Sequence, residues 1–92
     1  MKTVLIDGRK IQDKSFHEYF KKKLDIIDYY GNNLDAMFDV LSTYNDELNI
    51  YIFNLDHSEI TEYGIRVMKT FDDIMDSKDN INLKIIKIKR KY

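Results

Sequence analysis

The 92-residue chain contains no cysteine, no proline and no tryptophan. Without cysteine there is no disulfide, no thiol nucleophile and no zinc site with a sulfur ligand. Without proline, no cis-proline turn can shape the fold. Histidine occurs only as His17 and His57, and there are three glycines. Apolar runs are a few residues long, far short of the roughly 18 needed to span a bilayer, so no membrane association is expected. The opening stretch MKTVLIDGRK lacks a long apolar core and does not read as a secretory leader. No nucleophile–base pair, glycine-rich phosphate loop or metal-ligand cluster is visible, so the chain does not read as an enzyme and no cofactor or metal is expected. A cytoplasmic protein is the simplest expectation.

What is present fits a soluble globular fold. Hydrophobic residues make up 43% of the chain, charged residues 34%, and the mean hydropathy is -0.50. The length suits one domain over residues 1–92. A chain of this size buries only about 60% of its unfolded surface, so the core is small. Its seven tyrosines and five phenylalanines must supply much of it.

The net charge is -1, but the charges are segregated. Residues 1–23 carry seven basic side chains against three acidic ones. Residues 24–65 carry no lysine or arginine and nine acids: Asp25, Asp28, Asp35, Asp39, Asp46, Glu47, Asp56, Glu59 and Glu62. Residues 78–92 carry six bases and one acid, Asp79. An acidic centre calls for a basic partner. The basic end, KIKRKY, reads as a solvated strand end whose lysines discourage edge pairing, and no nucleic-acid partner is expected.

Met1–Ile6 ends in the run Val4, Leu5, Ile6 ahead of the turn signal Asp7-Gly8, which reads as a strand. Across Ser15–Leu24, the spacing of Phe16, Tyr19, Phe20 and Leu24 predicts a helix, with Lys21, Lys22 and Lys23 at the negative end of its dipole. Asp28–Asn32 reads as a loop punctuated by Gly31, and Asn33 as the N-cap of a helix over Leu34–Thr43. Leu48–Phe53 (LNIYIF) predicts a buried strand. Ser58–Ser77 reads as helical with a break at Gly64, and Asn82–Lys89 as a third strand. Strands alternating with helices imply crossover connections, hence an α/β fold: a three-stranded parallel sheet with helices packed against it.

The segment Asp28–Leu41 reads DYYGNNLDAMFDVL. On a helical wheel Leu34, Met37, Phe38 and Leu41 form one stripe. Asp35 and Asp39 are neighbours at i and i+4 on an adjacent face. Spacing alone fits an ordinary solvated acidic face. It also fits a pair of carboxylates placed for recognition or acid–base chemistry.

This segment resembles the barstar family of ribonuclease inhibitors. The family signature is Tyr-Tyr-Gly, a polar residue, Asn-Leu-Asp-Ala and a further Asp. Here it is matched by Tyr29, Tyr30, Gly31, Asn33, Leu34, Asp35, Ala36 and Asp39. The likeness extends over most of the chain, through the first strand with Gly8 and Ile11, the TEYG turn at Thr61–Gly64, the third helix and the last strand.

The resemblance implies a barstar-like fold and an intracellular inhibitor of a secreted, guanyl-specific ribonuclease of the barnase type. Such an inhibitor is monomeric when free. It occludes the active site with a loop and an acidic helix whose carboxylates mimic RNA phosphates. Carried over by position, Asp39 would sit deepest among the enzyme's basic side chains and Asp35 would pair with a second basic group. Tyr29 would cover the catalytic histidine. Asn33, Leu34 and Phe38 would line the contact, Tyr44 would stand where the family often has another aromatic, and Asp73 would supply the third-helix acid, with Asp72 and Asp76 as near neighbours. Several positions depart from the family. Ile27 stands where proline is common, Phe38 and Tyr44 where tryptophan occurs, and Asp73 where a glutamate reaches one methylene further. These changes point to a different cognate ribonuclease or to weaker binding to barnase itself. The alternative reading is an acidic interaction or immunity module for another basic toxin or protein.

Overall fold

The computed structural model describes residues 1–26 and 31–86. Strand β1 covers Lys2–Asp7 and runs into a 3-10 helix at Gly8–Gln12. Helices α1 (Phe16–Leu24) and α2 (Leu34–Ser42) follow, then strand β2 (Leu48–Phe53), helix α3 (Glu62–Ser77) and strand β3 (Ile81–Ile85). The sheet order is β1-β2-β3, with β2 paired parallel to both neighbours. Val4 lies opposite Ile50, and Ile50 opposite Leu83. The expected three-stranded parallel sheet with packed helices is therefore present.

Both crossovers step in the same direction across the sheet. Right-handed connections then place all three helices on one face. The burial pattern follows that geometry. Val4, Ile6, Leu48, Ile50, Ile52 and Ile81 are buried under the helices, while Thr3, Leu5, Asn82 and Lys84 on the other face are exposed. Alternation along LNIYIF is thus a strand covered on one side. Phe16, Phe20 and Phe71 fill the space between helices and sheet. Phe20 stacks on Phe16 at 5.1 Å between ring centres and meets Phe71 edge-on at 5.7 Å.

Three elements differ from expectation. The 3-10 helix has no counterpart in the sequence reading; it forms because Asp7 accepts from the Arg9 backbone N–H at 3.0 Å and caps the turn. Helix α3 begins at Glu62 rather than Ser58, and Gly64 does not break it. Residues 57–58 form a turn, with Asp56 accepting from the Ser58 N–H, and Thr61 is the N-cap, accepting from the Gly64 N–H at 3.1 Å. Gly64 serves close packing: a Cβ there would lie 2.8 Å from Ile60 Cγ1 and 2.9 Å from Gln12 Oε1. Strand β3 spans Ile81–Ile85, and the part of the expected strand from Lys87 to Lys89 lies outside the described residues. Among the described residues, no helix is long and apolar enough to cross a membrane.

Candidate functional site

Helix α2 starts as its sequence predicts. Asn33 is extended (φ -143°, ψ 172°) and its Oδ1 accepts from the Ala36 N–H at 2.8 Å, satisfying one of the unpaired donors of the first turn. Asn33 Nδ2 donates to the Gly31 carbonyl at 3.2 Å. Asn32 takes the left-handed conformation (φ 52°), which asparagine tolerates, and its Nδ2 donates to Glu18 Oε1 at 2.8 Å. The loop entering α2 is thereby tied to α1.

Met37 and Leu41 point α2 into the core, with Leu34 and Val40 half-buried beside them. The opposite side of the helix presents Asp35, Phe38 and Asp39 to solvent. Neither carboxylate has an ion-pair partner among the described residues. Asp35 lies in the first turn, where the helix dipole favours an anion. Asp39 lies close to the other end, where the last turn carries no basic residue. Four residues from Asp35, it suffers both a like charge and an unfavourable dipole. A surface that bears an uncompensated carboxylate beside an aromatic ring, Phe38 being 38% exposed, is suited to a basic partner.

The family described as Barstar (barnase inhibitor) matches residues 1–86. The chain belongs to the barstar family. A 60-residue stretch is also 40% identical to the Bacillus subtilis (strain 168) protein YrdF, which carries the name of a proposed ribonuclease inhibitor. That match covers 63% of this chain and 66% of YrdF, just under two thirds of the relative's length.

The barstar-family pattern can be followed residue by residue in the fold. Asn33 is committed to capping, Leu34 anchors the first turn of α2 against the core, and Asp35, Phe38 and Asp39 share the exposed side. Tyr29 lies outside the described residues. Tyr44 is half-buried against the core, and its carbonyl accepts from Lys78 Nζ and Asn80 Nδ2, both at 2.8 Å. Lys78 Nζ also donates to the Ser42 carbonyl at 2.8 Å, so the C-terminal ends of α2 and α3 are clamped together. Asp39 stands three residues before the end of α2 and Asp73 four before the end of α3.

Among the three aspartates of α3, Asp72 and Asp73 face different surroundings. Asp72 lines a groove on the β3 side of α3. Asp73 is exposed and meets Lys69 at 3.5 Å. Lys78 is the member of this region that sequence reasoning missed, because a lysine after a helix carries no sign of which carbonyls it will reach. His17 and His57 stand on other elements than α2. His17 is buried with its Nε2 hydrogen-bonded to the Tyr63 hydroxyl, and His57 is exposed in the turn after β2.

Proposed function

We propose that this chain inhibits a ribonuclease of the barnase type, with α2 filling the enzyme's active site and Asp35 and Asp39 taking the places of RNA phosphates. The observation that carries this reading is Asp39: an exposed carboxylate with no ion-pair partner among the described residues, placed near the negative end of its own helix, in a 42-residue stretch (24–65) free of Lys and Arg. A site evolved to bind phosphate offers Lys, Arg and His donors, and two carboxylates spaced one helical turn apart match them as acceptors. Phe38 and the Asn33 turn supply the contact around the charges, Tyr29 covers the catalytic histidine, and Tyr44 and Asp73 extend the surface on the α3 side. The inhibitor acts in the cytoplasm of the producing cell, before the enzyme is secreted. Family membership and the relative named for ribonuclease inhibition support the partner class.

The test is inhibition of a barnase-type ribonuclease by the wild-type protein beside the Asp35→Ala/Asp39→Ala double variant. Stoichiometric inhibition that vanishes in the variant is expected, together with association that slows as salt is added. Folded wild-type protein that leaves the enzyme active would instead assign the acidic face to another basic protein.

A further inference from the structure

The four carbonyls that end α2 are all occupied, one of them by a group from another element. Thr43 N–H donates to the Asp39 carbonyl at 3.1 Å, and Tyr44 N–H to the Leu41 carbonyl at 3.3 Å. The Thr43 hydroxyl donates to the Val40 carbonyl at 3.2 Å. The fourth carbonyl, of Ser42, accepts from the ammonium of Lys78, the residue that caps the C-terminus of α3. That ammonium also donates to the Tyr44 carbonyl, and Asn80 Nδ2 donates to the Tyr44 and Asp46 carbonyls, all at 2.8 Å. Two side chains from the α3–β3 connection thus hold the chain where it leaves α2. The last turn of α2 has no basic residue, and residues 24–65 contain no lysine or arginine to meet the negative end of its dipole. Lys78 brings that cation from elsewhere in the fold. It meets backbone carbonyls and forms no ion pair with a carboxylate among the described residues, so it closes the helix without neutralising Asp39.

Resting on the reading of α2 as the inhibitory helix, we propose that Lys78 is a positioning residue for inhibition: it fixes the last turn of α2 in the free protein, so that the Asp39 carboxylate is in place before the ribonuclease arrives. A nine-residue helix is marginal by itself and frays at its ends. Asp39 stands three residues before this end, and its own carbonyl belongs to the turn that Lys78 completes. Order established before binding removes an entropy cost from the complex and shows as slower dissociation. The direction of the effect separates positioning from charge. Lys78 is a cation and the partner is basic, so long-range electrostatics alone makes loss of the cation favour association. Positioning predicts the reverse, weaker inhibition when Lys78 is lost.

The test is dissociation from a barnase-type ribonuclease, measured for Lys78→Met in the wild-type and Asp39→Ala backgrounds. In the wild-type background the substitution should speed dissociation by roughly tenfold. In the Asp39→Ala background it should change the rate by less than about twofold, because the carboxylate to be positioned is gone. Lys78→Arg, which keeps a cation and N–H donors, should recover most of the loss. In the free protein, amide exchange at Thr43 and Tyr44 should be faster in Lys78→Met than in wild type. A merely structural lysine would lower Tm equally in both backgrounds and leave the dissociation rate alone. Three results would overturn the proposal while leaving the inhibitor reading intact: Lys78→Met that dissociates no faster than wild type, a loss that persists undiminished in the Asp39→Ala background, or unchanged exchange at both amides. Folded wild-type protein that inhibits no such enzyme would overturn both.

Discussion

Asp39→Ala should move stability and inhibition in opposite directions. In the free protein Asp39 is a burden on α2. It lies four residues after Asp35, which costs about 0.2–0.5 kcal/mol, and near the helix C-terminus, which costs about 0.3–1 kcal/mol. Alanine is also the better helix former, by up to roughly 0.7 kcal/mol. The bonds that close the helix survive the change, because Thr43 N–H and Ser42 Oγ donate to the backbone carbonyl of residue 39, at 3.1 and 2.9 Å. The variant should therefore be more stable by about 1 kcal/mol, raising Tm by roughly 4–8 °C for a domain of this size. Inhibition should weaken by about 2–5 kcal/mol, a loss of roughly 30-fold to several thousand-fold. This is the general range for truncating one member of a buried charge pair, for which the barnase–barstar complex is itself a measured case. Thermal melts at low salt and titration of ribonuclease activity read the two effects on the same sample. A fall in Tm of several degrees would show that Asp39 supports the fold, and unchanged inhibition would remove it from the contact.

Asn33→Ala should lower stability by about 1 kcal/mol through loss of the cap, visible in a urea titration, whereas Asn33→Asp should hold it near wild type. Gly8→Ala should destabilise by about 1–3 kcal/mol, because its Cβ would stand 2.8 Å from Leu55 Cα and the opposing atom is backbone that cannot swing aside; a melt within a degree of wild type would refute that close approach. Burial pushes the His17 imidazole below its usual pKa, so the unfolded chain binds a proton more readily than the folded one. Stability should be fully present above about pH 6.5 and fall as the pH drops from there toward 5; His17→Gln should remove that slope while the acid transition near pH 4 remains.

The parts of the fold legible in the sequence are those governed by neighbours within about four residues. The strand at Leu48–Phe53, the cap at Asn33 and the stripe of Met37 and Leu41 are each set by local geometry, and each stands in the structure where the residues place it. The start of α3 was not legible. Thr61 becomes its cap because Gln12, 49 residues away, accepts from the Thr61 N–H at 2.8 Å, and the Thr61 hydroxyl donates to the Gln12 carbonyl at 2.7 Å. Gly64 read as a helix breaker because its value lies in a close approach to that same glutamine. His17, on α1, is buried and hydrogen-bonded to Tyr63, 46 residues away, a contact that no local pattern signals.

The sequence by itself determined the strand and helix order, and with it a parallel sheet; it also determined the acidic stretch and the Tyr29–Asp39 motif that places the chain in the barstar family. Only the tertiary structure decided which way the aspartates of α3 face. Asp35 and Asp39 are neighbours by helical pitch alone, but the turning of Asp72 toward β3 and the Lys78 clamp depend on how α3 lies against β3 and α2. The Lys78 contacts join residues more than 30 positions apart. Their geometry is set by packing on the shared sheet, and no local pattern in the chain records it.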